Sequence, residues 1–187
     1  MFNSIAEKFY KAYPPVQWES IEKEAIDEVI FRTTRLRNRL ILELMARGGM
    51  RLGEVLKLTP EDISGQKLLI RDPKSGREQE VIFITQKIAD RLRDYINAKN
   101  IAFNHRIFSI SYEAARSMVK KAGKMVGVRL RPHDLRRHAA TYASRSGVPL
   151  EIVSKIILRH ANLSTTQMYL GRVSDSEATR WIENLYA

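Results

Sequence analysis

The stretch Pro132–Gly171, PHDLRRHAATYASRSGVPLEIVSKIILRHANLSTTQMYLG, contains the residues around which the rest of the chain is organised. Proline suits the first turn of a helix, so we predict a helix that begins at Pro132. On that helix His133 and Arg136 lie three residues apart and share a face. Arginine offers a planar fork of donors that matches phosphate oxygens, and histidine exchanges a proton near neutral pH. The pattern predicts a site that binds a phosphate group and reacts with it, with Tyr169 as the candidate nucleophile.

The composition favours a single folded domain with a polyanionic partner. The chain has 187 residues, of which 44% are hydrophobic and 28% are charged, as is typical of a folded domain. Its formal net charge of +11 favours nucleic acid or an anionic membrane surface. There are no cysteines, which excludes disulfides and thiolate metal sites. No apolar run reaches the roughly 18–20 residues that span a bilayer, and the N-terminus lacks a signal-peptide pattern, so we expect a cytoplasmic protein.

The sequence before Pro132 is predicted to form helices and one small sheet. Apolar residues at helical spacing predict helices over residues 19–33, 36–47, 85–97 and 112–126, with single helical turns beginning at Arg51 and Thr59. Two β-like runs, residues 67–71 and 80–84, are joined by turn-forming residues. They predict an antiparallel hairpin with Lys74 at its tip. Residues 100–110 are predicted to be a loop.

The chain from Pro132 onward is also predicted to be helical, and most of the chain is expected to form one domain. Helices are predicted over residues 132–146, 149–159, 164–170 and about 174–186. Residues 1–18 end in two prolines, and we interpret them as an arm or linker, or as the end of a missing N-terminal domain. Residues 19–187 are expected to form one domain. The predicted fold class is α+β, mostly helical, with a small antiparallel sheet.

Four motifs in this chain resemble, in the same order, those of the tyrosine recombinases, which include the integrases and the Xer-type enzymes. The motifs are G-M-R-L-G-E-V-L-K-L around Arg51, the loop 74–78 followed by Val81, H-D-L-R-R-H-A-A-T at His133–Thr141, and L-R-H-A-N-L-S-T-T-Q-M-Y at Leu158–Tyr169. The resemblance covers roughly residues 19–170 and implies the DNA breaking-and-rejoining catalytic fold. The chain departs from the family pattern in two places. Asp72-Pro73 precedes the hairpin lysine where glycine is common, and Arg159 stands where glycine usually precedes the histidine.

The resemblance implies a role for each central residue. Tyr169 would attack a DNA phosphodiester, which forms a 3′-phosphotyrosyl bond and releases a 5′-hydroxyl. Arg51 and Arg136 would hold the non-bridging oxygens and stabilise the charge of the transition state. A phenol titrates near pH 10 and needs help to lose its proton, so His133 would be its base or proton partner. Lys74 would be the general acid for the departing 5′-oxygen.

Further residues are assigned supporting roles. His160 would hydrogen-bond the phosphate or buttress the site. Glu54 either orients the basic groups as a supporting carboxylate or forms an ordinary ion pair with Arg51 one helical turn away. Three arginines are predicted to contact DNA: Arg77, Arg137 and Arg159. Neither a metal nor a nucleotide cofactor is expected, because the phosphotyrosyl bond retains the energy needed for rejoining.

The expected partner is double-stranded DNA, with no membrane partner, so the protein would be nucleoid-associated. The resemblance also implies self-association on DNA, as a tetramer in the synaptic complex. An apolar stripe in the helix at about 174–186 either packs on its own domain or docks on a neighbouring protomer; its members are Ala178, Trp181, Ile182 and Leu185. Two alternative functions remain open. One is a type IB topoisomerase-like relaxing enzyme with the same chemistry, and the other is a catalytically silent DNA-binding module.

Overall fold

The structure is a computed structural model that describes residues 21–71, 73, 79–160, 162–170, 179–180 and 182–184. For residues 168 and 169 it describes the helical backbone alone. The larger compact unit of the chain is Ser20–Leu170. Residues 179–180 and 182–184 belong to a second unit and are helical.

Helices make up most of the larger unit. They are α1 Lys23–Arg32, α2 Leu36–Ala46, α3 Leu52–Lys57, α4 Gln86–Ala98, α5 Tyr112–Lys124, α6 Pro132–Arg145, α7 Leu150–Ile152 and α8 Leu163–Leu170. A single 3-10 turn covers Pro60–Asp62, and α7 continues as a π-helix over Val153–Leu158. No described helix is long and apolar enough to cross a membrane.

Three antiparallel strands form a sheet in the order β1 (Ile63–Ser64), β2 (Lys67–Arg71) and β3 (Gln79–Phe83). The register of β2 and β3 pairs Lys67 with Phe83 and Arg71 with Gln79, so these two strands are the arms of a hairpin. Alternate residues of each strand point to opposite faces. Leu68, Ile70, Glu80 and Ile82 therefore face the interior, whereas Val81 and Phe83 are exposed.

Helix α2 lies at the centre of the core. Its residues from Leu40 to Ala46 are all buried, and they include one carboxylate, Glu43. Apolar faces of α1, α4 and α5 and the inner face of the sheet contribute to the same cluster. Side-chain caps start two of these helices: Thr85 accepts a hydrogen bond from the amide of Ile88, and Ser111 accepts one from the amide of Ala114.

The predicted fold class is confirmed: the chain is mostly helical with a small antiparallel sheet, and the predicted hairpin is present. Strand β1 was not predicted, because two residues are too short to show an alternating pattern. The helix predicted over residues 149–159 is in fact a short α-helix followed by the π-helix, and it ends one residue earlier, at Leu158. Most of the predicted helix at about 174–186, with its stripe residues Ala178, Trp181 and Leu185, lies outside the described residues.

Candidate active site

Parts of α3, the 3-10 turn, β2 and the start of α6 surround an open cavity of about 790 Å³. Three of the predicted catalytic residues, Arg51, His133 and Arg136, line this cavity, and so does the supporting residue Glu54. Arg51 lies in the first third of the chain and His133 and Arg136 lie beyond its middle, so the fold brings them together. The two arginines face one space, as a site that holds a single phosphate requires.

Arg51 is held at the start of α3 by Glu54. The Glu54 side chain accepts from the Arg51 backbone amide at 2.8 Å and from Arg51 Nη1 at 2.6 Å, so the helix cap and the ion pair share one carboxylate. Burial would raise the pKa of Glu54, but the positive charges of Arg159 and Arg51 and the backbone bond outweigh it and hold the pKa below its ordinary value. The predicted orienting role of Glu54 fits this geometry, because the carboxylate bonds two different arginines.

Arg136 lies one turn into α6 and is only 2% exposed. Its guanidinium donates to the backbone carbonyls of Gly49 and Leu158. These two bonds connect the loop before α3 to the end of the π-helix. Gly49 is required at this junction. Its φ is +64°, and a Cβ there would lie 2.7 Å from the carbonyl oxygen of Ile157. Backbone carbonyls from two separate segments therefore hold the Arg136 guanidinium in place.

His160 follows the π-helix and is held on two sides. Its amide donates to the carbonyl of Ser154 at 3.0 Å, and its Nδ1 lies 3.0 Å from the hydroxyl of Thr166 on α8. Partial burial and the positive charges of Arg136 and Arg51 lower the pKa of His160 to about 4. Partial burial and neighbouring arginines, Arg137 first among them, also lower the pKa of His133. The lowered pKa values favour the neutral form of both rings, and a neutral His133 can accept a proton.

We predict that His160 makes stability fall as the pH falls toward 4. Its folded pKa of about 4 lies below the ordinary 6.5, so the unfolded chain binds the proton more tightly. The stabilising contribution is complete above pH 6.5 and is lost as the pH falls through 4.

Denaturant unfolding between pH 4 and 7 measures this loss of stability. His160→Gln should show a shallower decline in the free energy of unfolding than the wild type. The exposed His105, changed to Gln, is the control, and equal slopes for all three proteins would contradict the prediction.

Arg159 does not lie where a DNA contact would. It is 3% exposed, its Nη2 donates to Glu54 at 2.7 Å and its Nε donates to Glu80 at 3.0 Å. Its Nη1 donates to the carbonyl of Ile157 at 3.0 Å. All three nitrogens of the guanidinium bond groups of the protein, and Arg159 does not line the cavity. The predicted DNA contact of Arg159 does not fit this inward position.

The remaining predicted residues are described in part or not at all. Lys74 and Arg77 lie in the 74–78 segment, outside the described residues. Tyr169 is in α8, nine residues after His160, and only its backbone is described. Arg137 is 7% exposed, has Nη1 4.0 Å from Asp134 and does not line the cavity. Its assignment as a DNA contact stays a prediction.

The cavity also contains polar residues that sequence reasoning did not select. They are Lys57, Thr59, Glu61, Asp62, Arg71, Asn104, Arg106 and Tyr112, and the two carboxylates pair with Arg71. Lys57 ends the same short helix that Arg51 caps, so its position could have been inferred from the motif around Arg51. Arg106 lies in the irregular segment 99–111, where no periodic pattern shows which way a side chain points. Lys57 and Arg106 extend the basic lining beyond Arg51 and Arg136.

A mostly helical fold with a small antiparallel hairpin brings Arg51 and Arg136 to one cavity. Residues 17–174 match the Phage integrase family, and the chain belongs to this family.

Known proteins resemble the chain along most of its length. It is 29% identical to tyrosine recombinase XerA of Saccharolobus solfataricus over 167 residues, which are 88% of this chain and 56% of that protein. The crystal structure of XerA recombinase has a TM-score of 0.75 at 20% identity, covering 94% of this chain and 66% of that one. XerH site-specific recombinase bound to its palindromic difH substrate, in a post-cleavage complex, has a TM-score of 0.70 at 20% identity, covering 88% and 52%. The chain thus spans little more than half the length of such relatives.

Proposed function

We propose that this chain is the catalytic domain of a site-specific DNA recombinase that breaks and rejoins strands through a 3′-phosphotyrosyl intermediate on Tyr169. The observation that carries the proposal is the convergence of Arg51, Arg136 and His133 on one open cavity. Family membership supports the same class of reaction. In the proposal, double-stranded DNA lies across the mouth of the cavity, and one backbone phosphodiester contacts the two guanidinium groups.

Each step of the proposed reaction is assigned to a particular side chain. The Tyr169 oxygen forms a bond to phosphorus as the bond from phosphorus to the 5′-oxygen breaks. The phenol proton passes to His133, whose lowered pKa favours the neutral form that can accept a proton. Lys74 supplies a proton to the departing 5′-oxygen. Arg51 and Arg136 stabilise the extra negative charge on the two non-bridging oxygens. Rejoining reverses the steps, and the reaction consumes no nucleotide and needs no metal.

DNA as the partner is supported by the net charge of +11 and by the basic cavity lining. A solved relative with this fold, XerH, is bound to its DNA substrate. Self-association on DNA as a tetramer, with the helix at about 174–186 linking protomers, is part of the proposal. So is a nucleoid-associated location, because the partner would be chromosomal or element DNA.

The proposal is tested by trapping the covalent intermediate. The probe is a pool of nicked duplexes randomised on both sides of the nick, since the recognition sequence is unknown. Cleavage near a nick releases a short strand, and the protein stays attached to the DNA. We expect a DNA adduct that resists detergent and is removed by protease, and sequencing of the attached DNA should give a preferred site. Binding without any adduct would favour the catalytically silent alternative.

The relaxing-enzyme alternative predicts a different product. A type IB topoisomerase-like enzyme would relax a supercoiled plasmid that carries one copy of the preferred site. A recombinase should instead exchange strands between two copies of that site, which gives deletion or inversion products. Relaxation of the plasmid with no recombinant product from two copies would support the alternative.

A further inference from the structure

The turn Leu158–His160 connects several parts of the candidate site. The carbonyl of Leu158 accepts from the guanidinium of Arg136. The side chain of Arg159 reaches in the other direction, to Glu54 and Glu80. His160, the next residue, is held between Ser154 and Thr166 beside the arginines. One short segment thus contacts α6, α3, β3 and α8.

Arg159 has a left-handed backbone, with φ 52° and ψ 46°. This conformation disfavours residues with a Cβ and favours glycine. Glycine would therefore suit the backbone better, and an arginine here indicates that its side chain contributes something that offsets the strain. That side chain is buried and bonds two carboxylates from different elements.

The two carboxylates differ in how far they depend on Arg159. Glu54 bonds both arginines. Its Oε1 accepts from the Arg51 guanidinium, and its Oε2 accepts from the Arg159 guanidinium and from the Arg51 backbone amide. Glu80 lies in β3 and is 5% exposed. Its Oε2 accepts from Arg159, and its Oε1 has no hydrogen-bond partner among the described residues. A buried carboxylate that loses its cation is strongly destabilised, so Glu80 anchors β3 to Arg159.

We propose that Arg159 is a positioning residue that fixes Arg51, through Glu54, relative to the β2–β3 hairpin, through Glu80. The inference rests on the proposed function, in which Arg51 and the β2–β3 hairpin both act on the scissile phosphate. Without Arg159, the Glu54 carboxylate is available to take both guanidinium nitrogens of Arg51 and draw Arg51 away from the phosphate. At the same time β3 loses its buried ion pair, so the β2–β3 hairpin is no longer fixed relative to α3.

The test compares Arg159→Gly with wild type in single-turnover cleavage of the preferred site. Measuring the rate over a range of protein concentrations separates the maximal rate from the half-saturating concentration. We expect the maximal rate to fall about 10- to 100-fold, because Arg51 is misplaced. The half-saturating concentration should change less than about threefold, because the Arg159 side chain is buried. Asn100→Gly is the matched control, since Asn100 is the other described non-glycine residue with positive φ, at 49°. It should leave both quantities unchanged.

Two further readouts separate positioning from a loss of folding. Guanidinium chloride at millimolar, non-denaturing concentration should restore part of the rate of Arg159→Gly by filling the vacated place, whereas sodium chloride at the same ionic strength should not. Amide hydrogen exchange over residues 79–83 should rise in Arg159→Gly and stay at the wild-type level in Asn100→Gly. Adding Glu80→Gln to Arg159→Gly should lower that exchange again, because the uncompensated buried charge is gone.

The failure of this inference can be told from the failure of the proposed function. If wild type forms no adduct, the proposed function fails, but the exchange measurement still tests the link between Arg159 and β3. If wild type forms the adduct and Arg159→Gly cleaves at the wild-type maximal rate, the positioning role is wrong. A loss confined to the half-saturating concentration would also overturn it, because that result would place Arg159 on the DNA.

Discussion

Tyr169→Phe is expected to abolish the covalent adduct and to lower single-turnover cleavage by about 10⁴-fold or more, because a phenyl ring has no oxygen to attack phosphorus. Binding to the same duplex should persist, since Arg51 and Arg136 remain in the cavity. The measurement is the yield of adduct on the preferred nicked site over time. Loss of the adduct together with loss of DNA binding would not fit a purely chemical role for this residue.

The chain offers a matched control for this substitution. Tyr142 lies on α6, is 45% exposed and does not line the cavity. Tyr142→Phe removes a phenolic oxygen in the same way and should leave the adduct yield unchanged. An undiminished adduct in Tyr169→Phe would reject the nucleophile assignment, and a comparable loss in both variants would point to a general effect of removing a tyrosine hydroxyl.

Arg136→Lys is expected to lower the maximal cleavage rate by about 10²- to 10³-fold, the usual cost of removing one preorganised donor to a developing negative charge. Lysine keeps the charge but lacks the planar fork that can bond the carbonyls of Gly49 and Leu158 while addressing a phosphate oxygen. The effect should appear in the maximal rate more than in DNA binding, which depends on total charge.

Arg131→Lys is the control for this change, because Arg131 lies at the exposed start of the same helix and pairs with Asp134. Its cleavage rate should stay within about twofold of wild type, since an exposed ion pair contributes little to stability. Denaturant unfolding of Arg136→Lys shows whether the protein is still folded under the assay conditions. A folded Arg136→Lys that cleaves at the wild-type rate would contradict the assigned role of the arginine.

Much of the fold could be predicted from the sequence because its signals are local. The hairpin has turn-forming residues between two β-like runs, and α6 has proline in its first turn. The spacing of His133 and Arg136 predicted a shared face, and the structure places both in the cavity with Arg51. The meeting of Arg51 with α6 followed only from the family resemblance, because no local rule relates residues so far apart in the chain.

The role of Arg159 could not be predicted, because it depends on backbone direction. An arginine beside a histidine in a basic chain favours a solvent-facing DNA contact, and only the left-handed turn sends it inward. The burial of its partner Glu80 could have been predicted. In β3, Glu80 and Ile82 alternate with Val81, so a strand with its isoleucine inside also buries the glutamate. A buried carboxylate needs a cation, but the sequence gives no indication which of the many arginines supplies it.

The central claim is that Tyr169 bonds to DNA phosphorus, and the most direct measurement is the site of attachment in the trapped adduct. Digesting the adduct with protease and nuclease and sequencing the modified peptide by mass spectrometry locates the nucleotide. We expect a 3′-linked nucleotide on Tyr169, in the peptide that follows His160, and on no other tyrosine. Attachment to a different residue, or through the 5′-phosphate, would contradict this account.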